Sequence, residues 1–181
     1  MYIAVIPAKG TSRRLKNKNM RIIFNQPLIN YTFKYAKKSK IIKKIFISSD
    51  SEKVLRWAKK NSVGVIKRPK RLCGETPIID VYKHAYNILK KRNKISAIVG
   101  LQPDHPDRKK NIDTVLKKFK KNKVDFLYSL DAKKNKNGAH YIIHKKILSG
   151  KEIRKKCFII DDCTNIHTKN DLKKAKRNLE K

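Results

Sequence analysis

Acidic residues are scarce in this chain. Asp and Glu number 14 against 48 Lys and Arg in 181 residues, and the formal net charge at pH 7 is +34. Other features are missing too. The three cysteines, Cys73, Cys157 and Cys163, are an odd number without CxxC spacing, which argues against a secreted disulfide framework and against a zinc knuckle. They read as ordinary thiols. No apolar run approaches the length that spans a bilayer, and the opening MYIAVIPAKG lacks a charged region followed by a long apolar stretch, so a soluble, cytoplasmic protein is expected. There is no internal repeat and no linker rich in Pro, Gly or Ser. With 39% hydrophobic residues to supply a core, one domain over residues 1–181 is expected.

A net charge of this size ordinarily suggests a nucleic-acid partner. Here the lysines are spread along nearly the whole chain with abundant Ile and Asn, the pattern of an AT-rich coding bias that charges every solvated surface. There is no arginine–aromatic alternation, zinc-finger spacing or RNP-like stretch, so no specific nucleic-acid partner is expected and non-specific binding is at most a side effect.

What is present is an alternation of short β-branched runs with amphipathic stretches. Strands are predicted at Tyr2–Pro7, Lys44–Ser49, Val63–Ile66, Ile95–Leu101, Asp125–Ser129 and His140–His144, with a short one at Phe158–Ile160. Helices are predicted from Leu28 to Ala36, from a cap at Asp50 or Ser51 to Lys60, from Thr76 and Pro77 to about Lys91, from Asn111 to Lys121, and from Lys169 to Asn178. This order implies βαβ units, hence an α/β, Rossmann-like, three-layer αβα domain with a mostly parallel sheet. Such sheets bind ligands at the carboxyl ends of their strands. That brings together the loops Ala8–Asn19, Arg68–Glu75 and Gln102–Arg108.

The first loop, AKGTSRRLKNKN, lacks both the GxxxxGK[ST] and the GxGxxG patterns. It nonetheless offers Gly10 for close backbone approach, hydroxyls on Thr11 and Ser12, and Lys9, Arg13, Arg14 and Lys18 to neutralise phosphates. A surface turn carrying the lysines that this composition scatters everywhere is the plainer reading of the loop in isolation.

In its full context, IPAKGTSRRLKNKNMRIIFNQPLINYTF (residues 6–33) resembles the acylneuraminate (CMP-sialic acid) cytidylyltransferase pattern IPARGGSKRIPGKNIRPLAGKPLIAYTI. FISSDSEKV is similar to the family's VSTDDEEI, KRPKRLCGETPIIDV to its RPAELATDTASTIDV, and LQPDHPDR to its LQPTSPLR. NGAHYIIHKKIL and TNIHTKNDLKKA, which are similar to NGAIYIFKREFL and DIDTPEDLELA, carry the resemblance to both ends of the chain.

The resemblance implies a nucleotidyltransferase that activates an acidic sugar, sialic-acid-like or 3-deoxy-octulosonate-like, with CTP and Mg²⁺ to give a CMP-sugar and pyrophosphate. Carried over residue by residue, it places Lys9 and Lys18 on the triphosphate with Arg14, and Ala8, Gly10, Ser12, Asn19 and Arg68 at the nucleotide. Gln102 falls at the sugar or ribose, and Asp104 at the magnesium. Lys9 replaces the family's usual Arg and loses its bidentate geometry. Asp50 reads as a helix cap, His105 as a polar loop residue, and Asp107 and Arg108 as solvated or paired with each other.

Two departures stand out. The family's second acidic pair aligns with Asn165 and His167, neither a hard anionic ligand, and Asp161 and Asp162 upstream are candidate substitutes. The long segment that the family inserts before NGAHY is absent, which implies a monomer or weak homodimer. Other readings are a non-catalytic nucleotide-binding relative, a nucleotidyltransferase for another sugar or nucleotide, and a nucleic-acid binder driven by charge.

Overall fold

A computed structural model of the chain describes residues 1–10, 12 and 14–180. β1 (Tyr2–Pro7) is the hub, paired in parallel with β4 (Ile42–Ser49) on one side and with β6 (Ala97–Gly100) on the other. Its strict alternation feeds two cores. Ala4 and Ile6 pack with residues of α1 (Leu28–Lys37), α2 (Glu52–Lys60) and α4 (Ile112–Lys121), whereas Ile3 and Val5 pack with α3 (Ile78–Leu89) and the short α5 (Lys145–Leu148). A strand buried on both faces in this way makes the three-layer sandwich that the βαβ order implies.

The seven-stranded sheet runs β5-β4-β1-β6-β8-β7-β9, where β5 is Gly64–Lys67, β7 is Phe126–Leu130, β8 is Lys136–His144 and β9 is Lys156–Ile160. All neighbours pair in parallel except β8, which lies antiparallel to both β6 and β7. The mostly parallel expectation therefore holds. Two glycines permit the packing: a Cβ on Gly100 would lie 2.3 Å from the Tyr82 ring, and one on Gly64 would lie 2.3 Å from that of Phe46.

A small hairpin of β2 (Ile22–Ile23) and β3 (Gln26–Pro27) precedes α1. Its turn residues, Phe24 and Asn25, both have positive φ, the conformation a two-residue hairpin requires, but Phe-Asn is not the usual Asn-Gly signal. The final helix α6 (Lys169–Leu179) starts at a reciprocal capping box between Thr168 and Asp171. It forms a third core, in which Ala175 joins Leu15, Ile23, Leu28 and Ile166. The loop after β1 is thus clamped by the end of the chain.

Of the two caps expected for α2, Ser51 is the one used, accepting from the Val54 amide. The start of α3 differs from expectation: Thr76 donates to the Arg71 carbonyl instead of capping the helix, which begins directly after Pro77.

Candidate nucleotide-binding cleft

At the carboxyl end of β1 the chain continues one residue beyond the strand. The Ala8 amide donates to the Ser48 carbonyl at 2.9 Å, and the Ser49 hydroxyl donates to the Ala8 carbonyl at 2.6 Å. The Asn19 side chain then donates to the Lys9 carbonyl at 2.8 Å, closing the loop on itself next to the 3₁₀ turn Lys18–Met20. Asn17 enters that turn in the left-handed region, with φ 54°.

The result is a cleft of ≈ 750 Å³ over the strand ends. Lys9, Ser12, Arg14, Lys18, Asn19, Arg68 and Gln102 line it together with an apolar wall of Leu72, Ile78 and Val81, the last two from α3. Asp104, Glu75 and His167 complete it. The structure thus brings together Lys9, Ser12, Arg14, Lys18, Asn19, Arg68, Gln102 and Asp104 from loops far apart in sequence. The apolar wall was missed because Ile78 and Val81 read as the start of a core helix and Leu72 as a loop residue among charged neighbours. Thr11 and Arg13 lie outside the described residues.

Ala8 and Gly10 do not line the cleft. Ala8 is fully buried. The Gly10 amide donates to Asp50 Oδ1 at 2.8 Å, and a Cβ there would lie 2.8 Å from that of Ser51. This glycine is therefore explained by close approach to the loop after β4. Asp50 is corrected likewise: its carboxylate holds the loop after β1 in place and caps no helix.

Lys18 is not the freely solvated loop lysine its setting suggests. Its side chain is 11% exposed, and its ammonium donates to Asp104 Oδ2 and to the Ile166 carbonyl, each at 2.8 Å. Arg68 is also buried, donating to the Ser48 carbonyl at 2.8 Å and to the Ser48 hydroxyl at 3.3 Å. Burial, and next the charge of Lys18, hold the His167 imidazole below its ordinary pKa, so it is neutral at pH 7.

The loop bearing Gln102 and Asp104 is fixed from behind. Arg108 donates to the carbonyls of Ala139, Gln102 and His105 and to the Thr32 hydroxyl, with its guanidinium 5.2 Å from the centre of the Tyr35 ring. Asp107 accepts from the Thr164 amide and hydroxyl and from the Asn178 carboxamide. The two are therefore neither solvated nor paired with each other. His105 is a loop residue as read, but a fully buried one, its Nδ1 donating to the Thr164 carbonyl at 3.1 Å. Burial pushes its pKa well below the ordinary value.

Asp161 is fully buried and accepts from the amides of Lys109 and Lys110. It serves that turn, while Asp162 is exposed, and neither lines the cleft. Among the described residues no group of three or more His, Cys, Asp or Glu is placed to hold a metal ion. Asn165 turns its carboxamide nitrogen to the Asn137 carbonyl at 3.4 Å. Also among the described residues, no helix is long and apolar enough to cross a membrane.

A doubly wound α/β domain takes its ligands in the crevice outside the carboxyl ends of its parallel strands, where this basic cleft lies. The cytidylyltransferase family profile matches residues 3–181, and the chain belongs to that family. It is 30% identical over 131 residues to the pseudaminic acid cytidylyltransferase of Campylobacter jejuni, covering 70% of this chain and 56% of that protein. It is 31% identical over 107 residues to the N-acylneuraminate cytidylyltransferase of Escherichia coli, covering 59% and 25%. The chain thus spans only part of the length of these relatives. Among solved structures, a CMP:2-keto-3-deoxy-manno-octonic acid synthetase complexed with CTP superimposes with a TM-score of 0.76 at 13% identity, covering 99% and 98% of the two chains. A cytidylyltransferase from Leptospira borgpetersenii gives 0.74 at 20%, covering 97% and 84%. At such identities these two show the fold alone.

Proposed function

We propose that the cleft binds CTP and that the chain transfers its cytidylyl group to a hydroxyl of an acidic sugar. The observation that carries this reading is the convergence of Lys9, Arg14, Lys18 and Arg68 with the Asp104 carboxylate on one cleft, in a member of the cytidylyltransferase family. The cations neutralise the triphosphate, and the apolar wall of Leu72, Ile78 and Val81 gives the base or sugar a dry surface.

The sugar hydroxyl gives its proton to solvent as its oxygen attacks the α-phosphorus, the bond from that phosphorus to the β-bridging oxygen breaks, and pyrophosphate leaves with the charge. Positioning and charge neutralisation are most of what this reaction asks of a protein. Lys9, Arg14 and Lys18 orient the phosphates, Asn19 keeps Lys9 in place through its carbonyl, and Gln102 faces the sugar side.

Magnesium fits these residues in a restricted sense. The ion commonly takes one or two carboxylates and draws its remaining ligands from substrate phosphates and water. Asp104 supplies one carboxylate, already engaged by Lys18 through Oδ2, and Asn165 and His167 add no anion. Asp104 would therefore hold an ion shared with the nucleotide, and that ion would supply Lewis-acid neutralisation of the phosphate oxygens.

The Lys18–Asp104 pair also favours a second reading, a nucleotide-binding relative without turnover. One assay separates the two. Pyrophosphate release is followed with CTP and a panel of pseudaminic, legionaminic and N-acetylneuraminic acids and 3-deoxy-manno-octulosonate. Release with at least one sugar is expected. Tight CTP binding without release from any of them would sink the transferase reading and leave the binding one.

A further inference from the structure

Far from the cleft, the sheet carries an aromatic row on the side of β7 and β9 opposite α4. Register places Tyr141, Tyr128 and Phe158 side by side on β8, β7 and β9. The rings are in contact along and across the strands: Phe126 stacks on Tyr128 of its own strand at 5.6 Å and on Tyr141 at 5.8 Å, and Tyr128 meets Phe158 at 6.3 Å. Toward β6 the row is roofed by Tyr82 of α3. Toward β9 it is open. Phe158 is 46% exposed and Ile160 44%, whereas Cys157 and Ile159, which point the other way, pack in the core shared with α4.

Cations frame the open end. The Lys136 ammonium lies 4.9 Å from the centre of the Tyr128 ring. Lys156 is exposed and shares the face of Phe158 and Ile160 by alternation. Lys133 and Lys134 precede β8, and Arg154 and Lys155 lead into β9, all exposed. The basic groups therefore flank the aromatic row on both sides along the strand direction, since β7 pairs Leu130 with Lys136 and Phe126 with Lys156 on either side of Tyr128.

We propose that this open face binds single-stranded nucleic acid without sequence preference. Rings that accept a base by stacking, bordered by cations that track a backbone, are the physical requirements of such a surface. Charge decides the occupant. A second copy of a chain carrying +34 would bring like charge against like, and the lysines beside the edge strand β9 oppose pairing of one such edge with another. A polyanion gains from every one of those cations.

The test uses fluorescence anisotropy with a labelled 20-nucleotide uridine strand and a 20-base-pair duplex at several salt concentrations, with light scattering on the same samples. The single strand should bind more tightly than the duplex. Phe158→Ala should weaken it roughly five- to tenfold with the salt slope unchanged, because stacking on one ring contributes about that much, while Phe158→Tyr should bind as wild type. A Lys136→Ala, Lys156→Ala variant should flatten the salt slope. Since Phe158 is exposed and remote from the cleft, CTP affinity should be the same in all these proteins and serves as the check on folding. Equal binding of strand and duplex, unaffected by Phe158→Ala, would reduce the interaction to net charge and overturn the proposal. So would a wild-type dimer that Phe158→Ala converts to monomer without changing strand affinity, because the face would then belong to a second copy.

Discussion

Removing either partner of the Lys18–Asp104 pair should change CTP binding in opposite directions. Lys18→Ala deletes a charge-assisted hydrogen bond to Asp104 and another to the Ile166 carbonyl. In the interior such bonds contribute about 1.5–3 kcal/mol. Asp104 is 16% exposed and can recruit water, so a loss of about 1–2 kcal/mol of stability is the discounted figure. For a domain of this size that corresponds to a fall in Tm of roughly 2–8 °C. Asp104→Asn keeps an oxygen for Lys18 and should cost less. The double variant should lose less than the sum of the singles by about 1 kcal/mol, the coupling expected of a contacting pair. For the ligand, Lys18→Ala should weaken metal-free CTP roughly tenfold, and Asp104→Asn, by removing a carboxylate from beside the phosphates, should strengthen it roughly threefold or more. Calorimetry in the presence of a chelator measures both. General damage to the cleft would lower both affinities, so a fall for Asp104→Asn, or additive stability losses, would refute the reasoning that Lys18 leaves the Asp104 carboxylate for a phosphate when CTP binds.

Magnesium titrated calorimetrically should bind weakly to the protein alone and more tightly once CTP is present; the Asn165→Asp, His167→Asp variant should raise metal affinity roughly tenfold by adding anionic ligands. Asp125, which accepts from Lys146 Nζ at 2.5 Å and from the Arg154 and Lys155 amides, has its pKa held at about 2 against an ordinary 3.8. Its stabilising contribution is therefore complete above the unfolded value and is lost as pH falls through about 2, so Asp125→Asn should flatten the acid limb of a Tm-against-pH profile in that window. Gly138 has φ +80°, and a Cβ there would meet the Gln102 carboxamide at 2.9 Å; Gly138→Ala should cost about 1–2 kcal/mol in urea unfolding, mainly through backbone strain.

The sheet was legible in the sequence because its central strands are buried on both faces and therefore read as uninterrupted apolar runs closed by Pro or Gly. Tyr2–Pro7 carries its full length in that signal. β8 and β9 were located but shortened: β8 begins at Lys136, not His140, and β9 at Lys156, not Phe158, because Lys136, Asn137 and Gly138 in one and Lys156 in the other open the strand without an apolar alternation. The α5 turn is too brief for a helical period to register, and the β2–β3 hairpin rests on positive φ at Phe24 and Asn25, which neither residue type advertises. The cleft was legible for a different reason. Ligands of parallel sheets gather at strand ends, so naming three loops was enough to collect Lys9, Lys18, Arg68 and Asp104.

What the sequence concealed is the support beneath the cleft, and the concealment has a common cause. Asp107 and Arg108 are adjacent and opposite in charge, and adjacency suggests a pair, but side chains of neighbouring residues in non-helical backbone point in different directions. Asp107 consequently reaches Thr164 and Asn178 near the end of the chain, whereas Arg108 reaches Thr32 in α1 and Ala139 in β8. Both sets of partners are remote in sequence, so no local pattern announces them. The same logic moves Asp50 from the helix it precedes to the Gly10 amide, and Lys18 from solvent to Asp104. In each case a polar side chain at a strand end is claimed by an unsatisfied backbone group or a charge brought near by the fold, because leaving either one buried and unpaired costs more than a surface contact returns. The loop holding Asp104 is therefore tied through residues 107 and 108 to α1, β8 and α6, and the position of that carboxylate depends on elements that never touch the cleft.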